Sequence, residues 1–217
     1  QCKFTDGVSF TFLSGTILAP GERLIVVSNQ AAFEFRYGAT TATVAGEYLG
    51  NLRNSGEHVL LEAADTTPIV DFTYGDALPW PDGAEGSGYS LVFAGGDPKE
   101  PFSWRMSTSL QGNPGSNDSL PFSGDPADLL SYVFATEPSG QIAGERFQLT
   151  FDQILAADQV TVVIEFSVDL ITWTPATSDQ LVSLLNQGDG TVTHIWQSPL
   201  PVSSALRQFA RVVLQAR

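Results

Sequence analysis

Gly50-Asn51-Leu52-Arg53-Asn54-Ser55-Gly56-Glu57 and, further on, Tyr74-Gly75-Asp76-Ala77-Leu78-Pro79-Trp80-Pro81 are the landmarks of the stretch Gly46–Leu91, whose reading decides the fold. Between and after them lie short apolar runs: Val59-Leu60-Leu61, Ile69-Val70-Asp71-Phe72 and Ser90-Leu91-Val92-Phe93. Each run has the length of one strand and ends in glycine, asparagine, aspartate or proline, the punctuation of an all-β domain.

Upstream, the apolar residues of Val8-Ser9-Phe10-Thr11-Phe12 alternate, as in a half-buried strand. Ala19-Pro20-Gly21-Glu22 is a turn by its chemistry. Leu24-Ile25-Val26-Val27 is apolar on both faces, the pattern of a central strand, and Phe33, Phe35 and Tyr37 fall in a loop or single helical turn. Downstream, residues 107–126 have the composition of a linker. Asp125-Pro126-Ala127-Asp128 then starts a helix, with Asp125 at the N-cap and proline at the first helical position. Leu129, Leu130, Val133 and Phe134 form its apolar stripe, Pro138 closes the segment, and the helix is expected over about 126–135.

Alternation resumes at Phe147, Leu149 and Phe151 and again at Val160, Val162, Ile164 and Phe166. Strands are expected at Gln180–Leu185, Thr191–Trp196 and Gln208–Leu214, with Gly188-Asp189-Gly190 as a hairpin turn. The fold class is therefore all-β: two β-sandwich domains in tandem, residues 1–121 and 122–217, with one short linker helix.

The combination of phrases resembles the lamin-tail domain over roughly residues 4–118. Leu18-Ala19-Pro20-Gly21-Glu22-Arg23-Leu24, Phe33 with Tyr37-Gly38, Gly50–Glu57, Trp80-Pro81, Gly88-Tyr89-Ser90-Leu91 and Ser103-Trp104 carry that resemblance, and Gly112-Asn113-Pro114-Gly115 adds an exit in the manner of bacterial extracellular proteins of the Verrucomicrobia–Planctomycetes group. The resemblance implies an immunoglobulin-like sandwich. The family's opening strands are missing before Phe4, so the first strand is expected at Val8–Phe12 and Gln1–Asp6 is too short to supply two. The chain opens on Gln1 without a methionine and reads as a processed or excised piece of something longer. Asp128–Ala135 with Glu165–Trp173 resembles a carboxy-terminal module recurrent in secreted proteins of the same bacterial group.

Composition narrows the function. Of 217 residues, 42% are hydrophobic and 14 are phenylalanine, enough for real cores, while the charged fraction of 16% is low for a soluble protein, where ~25% is usual. The net charge of −14 divides as −8 over residues 1–121 and −6 over 122–217. No run of like charge stands out, and a field of that sign repels the phosphates of nucleic acid. Cys2 is the single cysteine, which leaves no internal disulfide and no cysteine-based zinc site. No apolar run approaches the ~20 residues that span a bilayer, and the start shows no signal peptide.

Catalytic constellations are missing. His58 and His194 fall in different domains, without a second histidine at metal-ligand spacing. Ser87-Gly88-Tyr89-Ser90 is no nucleophile elbow, and there is no phosphate-cradling glycine loop. Asp71, Asp76, Asp82, Glu85 and Asp97 invite a calcium reading, but they lack the dense alternation of a dedicated loop and fit turn chemistry as well. No cofactor is expected.

The reading is a non-catalytic extracellular or cell-surface module, structural or adhesive, whose partner is a protein. That partner is another copy of the chain or a segment of its own precursor, adding the missing strand and able to propagate a filament. The alternative is a carbohydrate-binding accessory module of a larger secreted enzyme, in which Trp80 or Trp196 stacks on polysaccharide.

Overall fold

The computed structural model describes residues 1–38, 42–84, 86–205 and 207–217. The chain is all-β, 44% strand against 10% helix, and it divides into two units, Gln1–Asp118 and Ser119–Arg217.

In the first unit β1 (Lys3–Asp6) and β2 (Val8–Thr11) form a hairpin. β6 (Gly56–Glu62) and β7 (Pro68–Gly75) form a second. With β5 (Leu49–Gly50) they make one antiparallel sheet in the order β5-β2-β1-β6-β7. The alternation of side chains along these strands separates its two faces. Register places Phe4 opposite Phe10 and Leu61, and Val59 opposite Phe72, on the apolar face. Phe72 there stacks on Trp104 of β9 (Trp104–Met106) with ring centroids 4.7 Å apart, and Phe93 of β8 (Leu91–Phe93) lies 5.1 Å from the same indole. Phe4, Phe10 and Phe12 continue the face as an aromatic cluster, Phe10 and Phe12 lying edge to face 4.9 Å apart.

Three expectations about the elements of this unit are corrected. Lys3–Asp6 is itself a strand, slotted between β2 and β6, so the first strand precedes Val8. Its apolar signal is the single residue Phe4, too short for a period to register, and its ladder is supplied by strands elsewhere in the chain. Leu24–Val27 (β3) is not central: among the described residues it pairs, in parallel, only with β4 (Thr43–Glu47). Phe33, Phe35 and Tyr37 lie on a two-turn helix, α1 (Gln30–Tyr37). Asn29 caps it by accepting the Ala32 N–H at 2.7 Å, and Gly38 ends it at φ +66°.

The landmark phrases are structural. Glu57 accepts the Arg53 N–H at 2.7 Å, and the Tyr74 hydroxyl donates to the Arg53 carbonyl at 2.6 Å, which locks the loop entering β6. Burial and the neighbouring Glu57 push the Tyr74 phenol up to about 12. At Gly56, φ is +97° and a β-carbon would lie 2.3 Å from the Tyr74 carbonyl oxygen, so no side chain fits.

Residues 107–118 are not a linker. Ser107 is fully buried, and its hydroxyl accepts the Ser90 N–H at 3.0 Å. The guanidinium of Arg105 donates to Asp118 Oδ2 at 2.6 Å and to the Asp118 carbonyl at 2.9 Å. Asp118 also accepts the Thr108 N–H at 3.0 Å and the Thr108 hydroxyl at 2.5 Å. Burial pushes the Asp118 carboxyl up, but these bonds outweigh it and hold the group below its ordinary 3.8.

The second unit opens on a 3-10 turn, Pro126–Asp128, capped by Asp125, and α2 (Leu129–Val133). The helix is shorter than expected. Phe134 already belongs to β10 (Phe134–Ala143), and Pro138 lies within that strand instead of closing the segment. β10 is the edge of its sheet and its register shifts between Thr136 and Ser139, the two circumstances in which a strand accepts proline. Leu130, assigned to the apolar stripe, is 64% exposed.

β11 (Arg146–Ile154), β15 (Thr191–Pro201) and β14 (Leu181–Asn186) complete the antiparallel sheet β10-β11-β15-β14. A three-stranded sheet contains β13 (Thr174–Pro175), β12 (Val160–Ser167) and β16 (Phe209–Ala216). Leu149, Phe151, Leu181, Leu184, Val192 and Trp196 from the first sheet and Val160, Ile164 and Phe166 from the second are buried.

Asp118→Ala leaves the Arg105 charge buried without its carboxylate, a loss of roughly 3–5 kcal/mol for a buried pair. In thermal unfolding the transition of the first unit falls and that of the second stays in place. Protease sites within 107–118 open at the same time. Equal displacement of both transitions contradicts the division at Asp118.

Candidate functional site

The face of the first sheet opposite the Phe72–Trp104 packing is polar, and chemistry concentrates there. Lys3 lies opposite Glu62, with Nζ 3.9 Å from the carboxylate. Asp6 and Asp71 both lie opposite Leu60 of β6, one from each neighbouring strand. His58, two residues along β6, is therefore diagonal to both carboxylates. Its Nδ1 is 2.9 Å from Asp6 Oδ2 and its Nε2 is 2.8 Å from Asp71 Oδ1. Lys99 Nζ reaches Asp71 Oδ2 at 3.4 Å, and Asp6 Oδ1 accepts the Gly7 N–H at 2.9 Å.

The hydrogen bonds to Asp71 and to Asp6 raise the His58 pKa above its ordinary 6.5, and those to His58 lower both carboxyls below 3.8. This cluster escaped the sequence reading, which looked for a histidine partner in sequence. The tight β6–β7 hairpin would have placed Asp71 diagonal to His58. Nothing local places Asp6.

The second histidine is the opposite case. His194 on β15 faces the buried side of its sheet, paired with Phe151 and stacked on it at 4.9 Å with 10° between ring planes. Its Nδ1 is shielded from solvent and has no hydrogen-bond partner among the described residues, although the residue as a whole is only half-buried. Burial pushes its pKa down to about 4, against the opposing pull of Asp152.

The tryptophans proposed as sugar platforms part company. Trp196 is 6% exposed, on the buried side of β15 opposite Leu149 and Leu181, so its ring presents no stacking surface. The strand carries it inward because it shares the period-two phase of Val192 and His194. Trp80 is half-buried over Gly75, where a β-carbon would lie 3.1 Å from its Cδ1, and it stands 6.3 Å from Trp104. It anchors its loop. Trp173 is covered by the Arg211 guanidinium at 4.3 Å, whose Nε donates to Glu165 at 2.6 Å.

Among the acids of the calcium reading, Asp71 is engaged by His58 and Lys99, and Asp97 accepts the Lys99 N–H at 2.9 Å as a turn residue. Glu85 lies outside the described residues. Among the described residues no three histidine, cysteine, aspartate or glutamate side chains are placed to hold a metal ion, and no helix is long and apolar enough to cross a membrane.

Comparison of the chain with protein-family models, with curated proteins and with solved structures returned no match.

His194 generates a pH dependence of defined sign. Its folded pKa lies below the unfolded 6.5, so the unfolded chain binds the extra proton as pH falls through the interval from 6.5 to about 4. Stability is full above pH 6.5 and declines below it, by on the order of 3 kcal/mol by pH 4. His194→Phe removes that decline in the second unit's melt between pH 7 and 4. An unchanged slope in the variant refutes the assignment.

Proposed function

We propose that the chain is a non-catalytic extracellular module, structural or adhesive, within a surface structure or a larger secreted protein. Its first unit is completed by a strand from a partner chain, either another copy or a segment of its own precursor. The resemblance to the lamin-tail domain supports the extracellular setting. The histidine–carboxylate cluster spans three strands of one sheet, which suits it to holding them together.

The observation that carries the reading is the open outer edge of β2. β5 covers only Val8 and Ser9. Among the described residues no strand pairs with Phe10 or Thr11 on that side. The Phe12 N–H donates inward to the Cys2 carbonyl at 3.0 Å. By alternation the backbone groups of Thr11 point outward, away from β1. Leu13, just past this edge in the chain, and Leu49 of β5, paired beside it, are 77% and 76% exposed. An open edge with apolar neighbours is a template for an added strand. The cores agree with that requirement. Among the described residues the buried apolar side chains of the first unit are Val8, Val27, Phe72, Pro81 and Met106, against fourteen in the second.

Light scattering over a concentration series tests the proposal. The chain self-associates reversibly, and Thr11→Pro weakens that association about tenfold, the effect of roughly 1.4 kcal/mol, while leaving the β1–β2 ladder intact. Should the proline variant fold poorly, Thr11→Lys places a charge at the same exposed edge position and has the same expected effect. A wild-type chain that stays monomeric throughout the series and melts cooperatively closes its first unit unaided, and the reading is then abandoned.

A further inference from the structure

We infer that His58 is a proton-operated clasp that fastens the strand β1 into the first unit's sheet and loosens it when the imidazole loses its proton. A neutral imidazole has one N–H and one lone pair, and an ionised carboxylate only accepts. The two contacts, 2.9 Å from Nδ1 to Asp6 and 2.8 Å from Nε2 to Asp71, are therefore both hydrogen bonds only while the ring carries both protons. In the neutral ring, one nitrogen turns a lone pair toward a carboxylate oxygen, and that arm changes from attraction to repulsion.

The charged groups facing His58 come from both flanking strands and one loop. Asp6 stands on β1, Asp71 on β7, and Lys99 reaches in from the loop after β8 to bond Asp71. Lys3 and Glu62 pair with each other further along the same face. Asp71 keeps the Lys99 cation when His58 is neutral. Asp6 has no second cation among these groups, only the Gly7 N–H.

Position makes the clasp consequential. β1 is four residues long and lies between β2 and β6, so its backbone closes the ladders of both. A strand that short depends on each tether, and Asp6 supplies one of its two outer-face ionic contacts to β6, the Lys3–Glu62 pair being the other. Loosening β1 uncovers the inner edge of β2 and one edge of β6 together. The carboxyls stay ionised throughout the interval in which His58 titrates, because both are held below 3.8. The His58 shift is upward, so the stabilisation is fully present below 6.5 and is lost as pH rises through the folded midpoint.

The test is a thermodynamic cycle on the full chain. The His58 midpoint is read by NMR in the wild type and in Asp6→Asn, and the opening constant of β1 is read from hydrogen exchange at the Phe4 and Asp6 amides between pH 5 and 9, corrected for intrinsic exchange. The wild-type midpoint lies above 6.5 and that of Asp6→Asn at least half a unit lower. The β1 opening constant rises across the interval by the factor that this difference dictates, about threefold for half a unit and tenfold for a whole one. His58→Gln flattens the pH dependence, and this variant suffices if Asp6→Asn does not fold. Midpoints equal in the two proteins, a wild-type midpoint at or below 6.5, or an opening constant that does not change with pH overturns the inference.

Discussion

The alternation of side chains along β6 governs the first unit. Val59 and Leu61 point to one side and His58, Leu60 and Glu62 to the other, so a seven-residue strand divides the sheet into an apolar face and a charged one. The neighbouring strands must obey the same phase. Phe4 and Phe72 meet the apolar side, while Asp71 and Asp6, the latter carried across by a register shift after Phe4, meet the charged side. A slip of one residue in either ladder would bury carboxylates against Trp104 and turn phenylalanine to solvent. The histidine between the two aspartates therefore marks the register from the outside, as the Phe72–Trp104 stack does from within.

The two units spend their hydrophobic residues differently. In the second, two sheets and the short helix bury a set of side chains running from Val133 to Trp196, and even a histidine is held against Phe151 with its Nδ1 shielded. In the first, the burial is thinner and specific polar ties carry more of the organisation. Arg105 and Asp118 fasten the last residues of the unit to β9 through a network in which both side chains are more than nine-tenths buried. Glu57, Arg53 and Tyr74 fasten the loop entering β6. Such ties fix geometry without covering apolar surface, which leaves the outer edge of β2 exposed and makes the strand-completed reading physically coherent.

Much of the framework was legible in the sequence because it is locally encoded. Leu149, Phe151, Val160, Ile164 and Phe166 alternate over strand-length runs, and Gly188–Gly190 marks the hairpin between β14 and β15. Asp125-Pro126 announced its turn by capping chemistry alone. What escaped had one property in common, dependence on a distant partner. Lys3–Asp6 has too few residues to show a period and becomes a strand through β2 and β6. The segment 107–118 looks like a linker by composition, and only the Arg105–Asp118 network makes it part of a folded unit.

The candidate residues divide along the same line. Periodicity and punctuation determined that this chain is all-β and where most of its strands run, since a strand's face pattern and a turn's backbone demands are written within a few residues. The inward direction of Trp196, the packing of Trp80 over Gly75 and the meeting of His58 with Asp6 and Asp71 were decided only by the tertiary structure. Asp6 lies 52 residues from His58 in the chain, and the register of two ladders, not any local preference, brings the carboxylate to the ring.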